Sequence, residues 1–266
     1  MKILAYKALL LTLIVVFSSF ECNKKNTPAP GPVTAVSWAP AVPVLRGLAA
    51  NPLLRVIVSV PAGNNIYGIR KLNCTVNPEV LTEIQQLDIY VNGAEPFSTQ
   101  NLLASVTPAS ATFDIPVALE VKEGIRFIWF SVVLKPGADI NKKIEMHCSS
   151  ILSADNKTLP VDQGSSNYVK RTGVAIRKAG EDAVNTYRIP GIITTDRGTL
   201  LAVYDIRYNN SADLPGNIDV GLSRSTDAGK TWEPMKIIMD MGAPHENNGI
   251  GDPAILFDPV TKKVIV

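Results

Sequence analysis

Ser225-Thr226-Asp227-Ala228-Gly229-Lys230-Thr231-Trp232 decides the reading of this chain. Its residue types describe a turn held by its own side chains. Asp227 is placed to accept hydrogen bonds from backbone amides of the turn. Gly229 supplies a backbone position with positive φ. Trp232 follows at the distance needed to pack back onto the strands. Asp227 is therefore assigned a structural role, not a chemical one.

Working outward, the turn sits among short β-strand candidates. Gly191-Ile192-Ile193-Thr194, Thr199 to Tyr204, Ile218 to Ser223 and Lys236-Ile237-Ile238 are each short, apolar and bounded by turn residues. Asp196-Arg197-Gly198 makes a tight turn between the first two. Four consecutive antiparallel strands are the content of one β-propeller blade. The pattern restarts at Asp252-Pro253-Ala254-Ile255-Leu256-Phe257, turns over residues 258–263 and continues into Val264-Ile265-Val266. The expected content is about one and a half blades over residues 169–266, a truncated propeller. An open set of blades leaves an apolar flank, because propellers bury their core by stacking neighbours around a ring.

Upstream, residues 49–168 alternate with period two. Leu54 to Val60, Leu87 to Val91, Thr112 to Ile115, Arg126 to Leu134 and Ile144 to Ile151 are strand candidates. Asn92-Gly93 is a hairpin signal after the second of them. No stretch carries a helical stripe of useful length. The fold class is all-β: an accessory β-sandwich ahead of the incomplete propeller. Residues 22–48 are rich in proline and small residues and read as an extended tether.

The chain has 266 residues, 46% hydrophobic and 19% charged, with a formal net charge of +2. This near balance gives no reason to expect nucleic acid as a partner. Residues 1–21 read as a signal peptide: Lys2 and Lys7 precede an apolar run over 8–20 that is too short to span a ~30 Å hydrocarbon core. Cys22 then stands where a bacterial lipoprotein signal places its lipidated residue, which would attach the protein to a membrane at the periplasm, outer membrane or cell surface. Glu21 departs from the small residue usual before that cysteine. Cys74 and Cys148 form either a disulfide in an oxidising compartment or two buried thiols. No metal-ligand spacing appears, and neither a catalytic metal nor a cofactor is expected.

The Ser225–Trp232 octapeptide matches the Asp box, S-x-D-x-G-x-T-W, through Ser225, Asp227, Gly229, Thr231 and Trp232. Tyr187-Arg188-Ile189-Pro190, Asp205-Ile206-Arg207 and Asp213 precede it, and Gly251-Asp252-Pro253-Ala254 follows. In this order and spacing they resemble the bacterial exo-α-sialidase (neuraminidase) family. The resemblance covers about residues 174–266. It implies that Arg188 grips the sialic acid carboxylate, for which a guanidinium fork is suited. It implies that Asp213 is the acid/base group, and that Arg207 and Asp252 line the sugar's hydroxyl pocket. The implied substrates are sialylated glycoproteins, glycolipids or oligosaccharides. Two further arginines, the tyrosine nucleophile and its glutamate belong to later blades in this family. A chain of this length is accordingly expected to be an inactive N-terminal fragment. The rival reading is a non-catalytic glycan-binding or adhesion propeller that uses Asp boxes as scaffold. Asp205 is read as holding Arg207 or satisfying a turn, and His245-Glu246 as a surface pair.

Overall fold

The computed structural model describes residues 30–93 and 96–266. The signal-peptide and lipidation readings at residues 1–22 lie outside the described residues.

Among the described residues, twelve strands build the first unit. They are β1 (Thr34–Trp38), β2 (Val44–Arg46), β3 (Asn51–Val60), β4 (Tyr67–Val76), β5 (Ile84–Asn92), β6 (Leu102–Val106), β7 (Thr112–Val121), β8 (Gly124–Leu134), β9 (Lys143–Ser153), β10 (Thr158–Pro160), β11 (Asp162–Gln163) and β12 (Val169–Val174). One sheet runs in the order β11-β1-β3-β8-β5-β6, the other β2-β12-β9-β4-β7, with β10 added beside β9. Period-two alternation dictates this packing. Leu54, Val56, Val58 and Val60 of β3 turn inward together with Ile128, Phe130 and Val132 of β8. From the facing sheet come Leu72, Cys74 and Val76 of β4 and Ile144, Met146, Cys148 and Ile151 of β9. Each such large side chain, fully removed from water, contributes about 1.5–3 kcal/mol.

The outward row of the first sheet explains part of the aromatic content. Trp38, Arg55, Trp129 and Tyr90 are register partners across β1, β3, β8 and β5. The Arg55 guanidinium lies 4.4 Å from the Trp38 ring centroid and 5.5 Å from that of Trp129, a cation–π stack.

Two expectations change. The proline-rich stretch is not all tether: β1 and β2 are sheet members within it. Proline there stays at positions 40 and 43, between strands, where no ladder donor is lost. The first unit also extends past residue 168, because β12 pairs antiparallel with β9 and parallel with β2. The hairpin signalled by Asn92-Gly93 is formed by β5 and β6, which pair antiparallel with β6 beginning at Leu102. The intervening loop is pinned by Phe97, whose ring packs edge-on against Tyr90 at 5.9 Å and Trp129 at 5.5 Å. Cys74 and Cys148 face each other across β4 and β9 as free, buried thiols. Hydrogen bonding to Cys148 and burial push the Cys74 thiol up.

The second unit is an antiparallel meander of β13 (Thr186–Thr194), β14 (Leu200–Arg207), β15 (Ile218–Ser225) and β16 (Lys236–Met239). A hairpin of β17 (Leu256–Asp258) and β18 (Lys263–Ile265) follows. The octapeptide forms the turn after β15. Ser225 Oγ accepts the Gly229 amide at 2.9 Å, and Asp227 accepts the Thr231 amide at 2.9 Å and its hydroxyl at 2.6 Å. Gly229 has φ +82°. The two units are tied together: Arg46 donates to the Ala138 carbonyl at 3.0 Å and to the Lys230 carbonyl at 2.5 Å, and Lys178 donates to the Gly47 carbonyl at 3.1 Å.

Candidate functional site

Arg188 lies on β13, opposite Asp205 of β14. The ladder between these strands is interrupted between Arg188 and Gly191. Pro190 has no amide to donate, and Ile189 adopts φ +52°, a conformation rare for a β-branched residue. A bulge of this kind re-aims the neighbouring side chain. Arg188 keeps 42% of its side chain exposed and reaches Asp213 Oδ1 at 3.3 Å and the Ser211 carbonyl at 3.0 Å.

Arg207, at the end of β14, is the opposite case, with a side chain only 2% exposed. Its Nε and Nη2 donate to Asp205 Oδ2 at 3.1 and 2.7 Å. Its Nη1 donates to the Ser211 and Ala212 carbonyls at 2.9 and 2.7 Å and to Asp213 Oδ1 at 2.7 Å. The fork is thus filled by protein acceptors. Its task is to hold the loop that carries Asp213. Asp213 remains exposed and is bridged by both arginines. The hydrogen bond from Arg207, and then its charge, hold the Asp213 carboxyl below the usual range.

Asp205 does hold Arg207, one of the two readings left open for it. Its Oδ1 also accepts the backbone amide of Asp252 at 2.8 Å. The expected second-blade strand is shorter than its sequence pattern: residues 252–255 are irregular, Asp252 has φ +56°, and β17 begins only at Leu256. The structure thus brings Arg188, Arg207, Asp213 and the Asp252 backbone into one connected group through Asp205. Ser225, Asp227, Gly229, Thr231 and Trp232 stand apart from it, in the turn at the other end of β15. Arg188 also borders a cavity of about 480 Å³, lined by Tyr187, Pro190, Ala202 and Tyr204 and, from the first unit, Leu45 and Leu48.

One buried acid escaped the sequence reading. Asp219 of β15 is 4% exposed, accepts from the Tyr208 hydroxyl at 2.9 Å and is pushed up by burial. Burial and this bond also raise the Tyr208 phenol. The signal was Asp219 between Ile218 and Val220, an acid inside an apolar strand. His245 and Glu246 are exposed.

Residues 34–158 match the N-terminal domain of BNR-repeat neuraminidase. A sialidase of Bacteroides fragilis (strain YCH46) is 38% identical over 218 residues, covering 70% of this chain and 40% of that protein. A sialidase of Paraclostridium sordellii is 46% identical over 76 residues, 29% of this chain and 18% of that protein. Among solved structures, the Hadza microbial sialidase Hz136 superposes with a TM-score of 0.73 at 30% identity, over 86% of this chain and 49% of that one. The chain therefore spans less than half of the length of these relatives.

Proposed function

We propose that this chain, which is similar to bacterial sialidases over 70% of its length, is part of such a protein and contributes one side of the active site of an exo-α-sialidase. The reaction is hydrolysis of terminal sialic acid from glycoproteins, glycolipids or oligosaccharides, with retention of configuration. The observation that carries this reading is the grouping of one exposed arginine with an exposed carboxylate on a second, buried arginine. A sialoside presents the matching chemistry, a carboxylate beside the glycosidic oxygen. Arg188 pairs with the substrate carboxylate. Asp213 protonates the leaving oxygen and then activates water. Arg207 and Asp252 border the sugar, and the nucleophile comes from a later blade.

Two guanidinium groups beside Asp213 favour its ionised form. A substrate carboxylate arriving at Arg188 competes for one of them and adds negative charge. Both effects raise the Asp213 pKa toward the protonated state that a general acid needs.

The octapeptide is read as an Asp box that stiffens the blade. Export through residues 1–21 and lipidation of Cys22 complete the proposal. Labelled fatty acid should enter the wild-type protein and not Cys22→Ser; an unlabelled wild type would remove the lipid anchor. The activity is tested with a fluorogenic sialoside on the full-length protein. Release of sialic acid is expected. Binding of sialylated glycans without turnover would favour the adhesion propeller instead.

A further inference from the structure

The contact that joins Asp252 to the group of Arg207, Asp213 and Arg188 runs through a single buried carboxylate. Asp205 is 1% exposed, in mid-sheet on β14 between register partners Arg188 and Val220. Its two oxygens serve different elements. Oδ2 takes both Nε and Nη2 of Arg207, while Oδ1 takes the amide of Asp252, 47 residues further along the chain. A charge this deeply buried is costly unless fully paired, and here every donor around it has a defined direction. The approach of the second element depends on Gly251. A Cβ at that position would stand 3.2 Å from Asp205 Oδ1 and 3.3 Å from Oδ2, close enough that one side of the contact must give by a few tenths of an ångström.

We infer that Asp205 is a positioning residue for two parts of the site at once: through Arg207 it sets the loop bearing Asp213, and through the Asp252 amide it seats the start of the second blade beside that loop. The inference rests on the sialidase reading for the roles of Asp213 and Asp252. The bridge itself rests on geometry alone. Asp205 does not touch the substrate and moves no proton.

Two variants separate the halves of the bridge. Asp205→Asn keeps an oxygen for the Asp252 amide but turns an NH₂ group toward a guanidinium that has only donors. Gly251→Ala keeps every charge and donor of the pair but crowds the carboxylate from the side of the second element, so the Asp252 amide has to shift relative to Oδ1. Hydrogen exchange over residues 249–255, measured on the 266-residue chain, should be slow in wild type and Asp205→Asn. In Gly251→Ala it should be faster by about tenfold or more, as for an amide that loses its acceptor. Equal exchange in wild type and Gly251→Ala overturns the bridge, whether or not the protein cleaves sialosides.

Kinetics on the full-length enzyme read the other half. Asp205→Asn should lower kcat on a sialyl-oligosaccharide about tenfold more than on an aryl sialoside, whose phenolate departs without a proton, because only the first needs a placed acid. Misfolding would reduce both substrates alike, so equal losses overturn the positioning role. A wild type that cleaves no sialoside but shows the expected exchange pattern would remove the sialidase reading and leave the bridge standing.

Discussion

Arg188 is placed by the backbone beneath it. The Ile189-Pro190 bulge lifts the chain out of ladder geometry, and the side chain emerges 42% exposed beside Asp213. Arg207 is placed by partners on every side and is 2% exposed. The two arginines therefore respond differently to loss. Under the proposed sialidase role, Arg188→Ala in the full-length protein should raise KM for every sialoside, whatever its leaving group, since the proposed carboxylate grip would be lost in ground and transition state alike. Asp213→Ala should lower kcat by about 10²–10⁴, and less when the leaving group needs no proton. Wild-type kcat in Asp213→Ala would remove it from the acid/base role. The order Arg188, Arg207, Asp213 was readable because short spacings on one hairpin survive folding unchanged. The second contact of Asp205 was not, because nothing local marks an amide 47 residues away as its partner.

Among the elements, the turn after β15 shows how eight residues determine their own structure. Ser225 is 1% exposed, and its Oγ is the acceptor for the buried Gly229 amide. Ser225→Ala leaves that amide without a partner and should cost about 1–3 kcal/mol of blade stability, measured by denaturant unfolding with Trp232 as the fluorescent reporter. An unchanged midpoint would show that the turn does not depend on this bond. Asp227 adds a pH dependence. The Thr231 hydroxyl, and then the Thr231 amide, hold its carboxyl at about 2 against an ordinary 3.8. A carboxyl depressed by folding stabilises the native state above its unfolded pKa, and this contribution fades as the pH falls through the folded value. Acid unfolding of the wild type should accordingly lose this support between about pH 4 and pH 2. Asp227→Asn should unfold with less dependence on pH in that window; an identical acid titration would contradict the assignment. Such a turn is legible in a sequence because its donors and acceptors lie within eight residues. The loop after Asn92 is not. Asn-Gly favours a tight hairpin, whereas β6 begins at Leu102 and Phe97 between the strands packs against Tyr90 and Trp129, partners that no local pattern marks. The same limit applies to β17, which begins only at Leu256, after the Asp252 amide that Asp205 holds.

At the scale of the whole molecule, the question is where the first unit begins and ends. Period two marked the long central strands, whose alternation is imposed by one buried face. It did not mark β1 and β2, which sit among prolines, or β12, which reads Val-Lys-Arg-Thr-Gly-Val. These three strands nonetheless close the sandwich. β1 covers the edge of β3 over five register pairs, from Thr34–Ser59 to Trp38–Arg55. Ser37, fully buried, is bound by the Tyr168 hydroxyl at 2.7 Å. Asn51 ties β2 in place by accepting from the Leu45 amide at 2.8 Å and donating to the Leu45 carbonyl at 3.1 Å. A fragment of residues 49–168, cut where alternation alone would place the boundaries, lacks β1, β2 and β12. It exposes the ladder edge of β3 and leaves Ser37's partners unsatisfied, which invites pairing with other chains. A fragment of residues 30–174 retains all twelve strands. The longer fragment should give a β-rich circular dichroism spectrum and one cooperative thermal transition. The shorter one should aggregate or melt well below it. Equal melting of the two would show that the edge strands add nothing to the sandwich and that the unit ends where its alternation does.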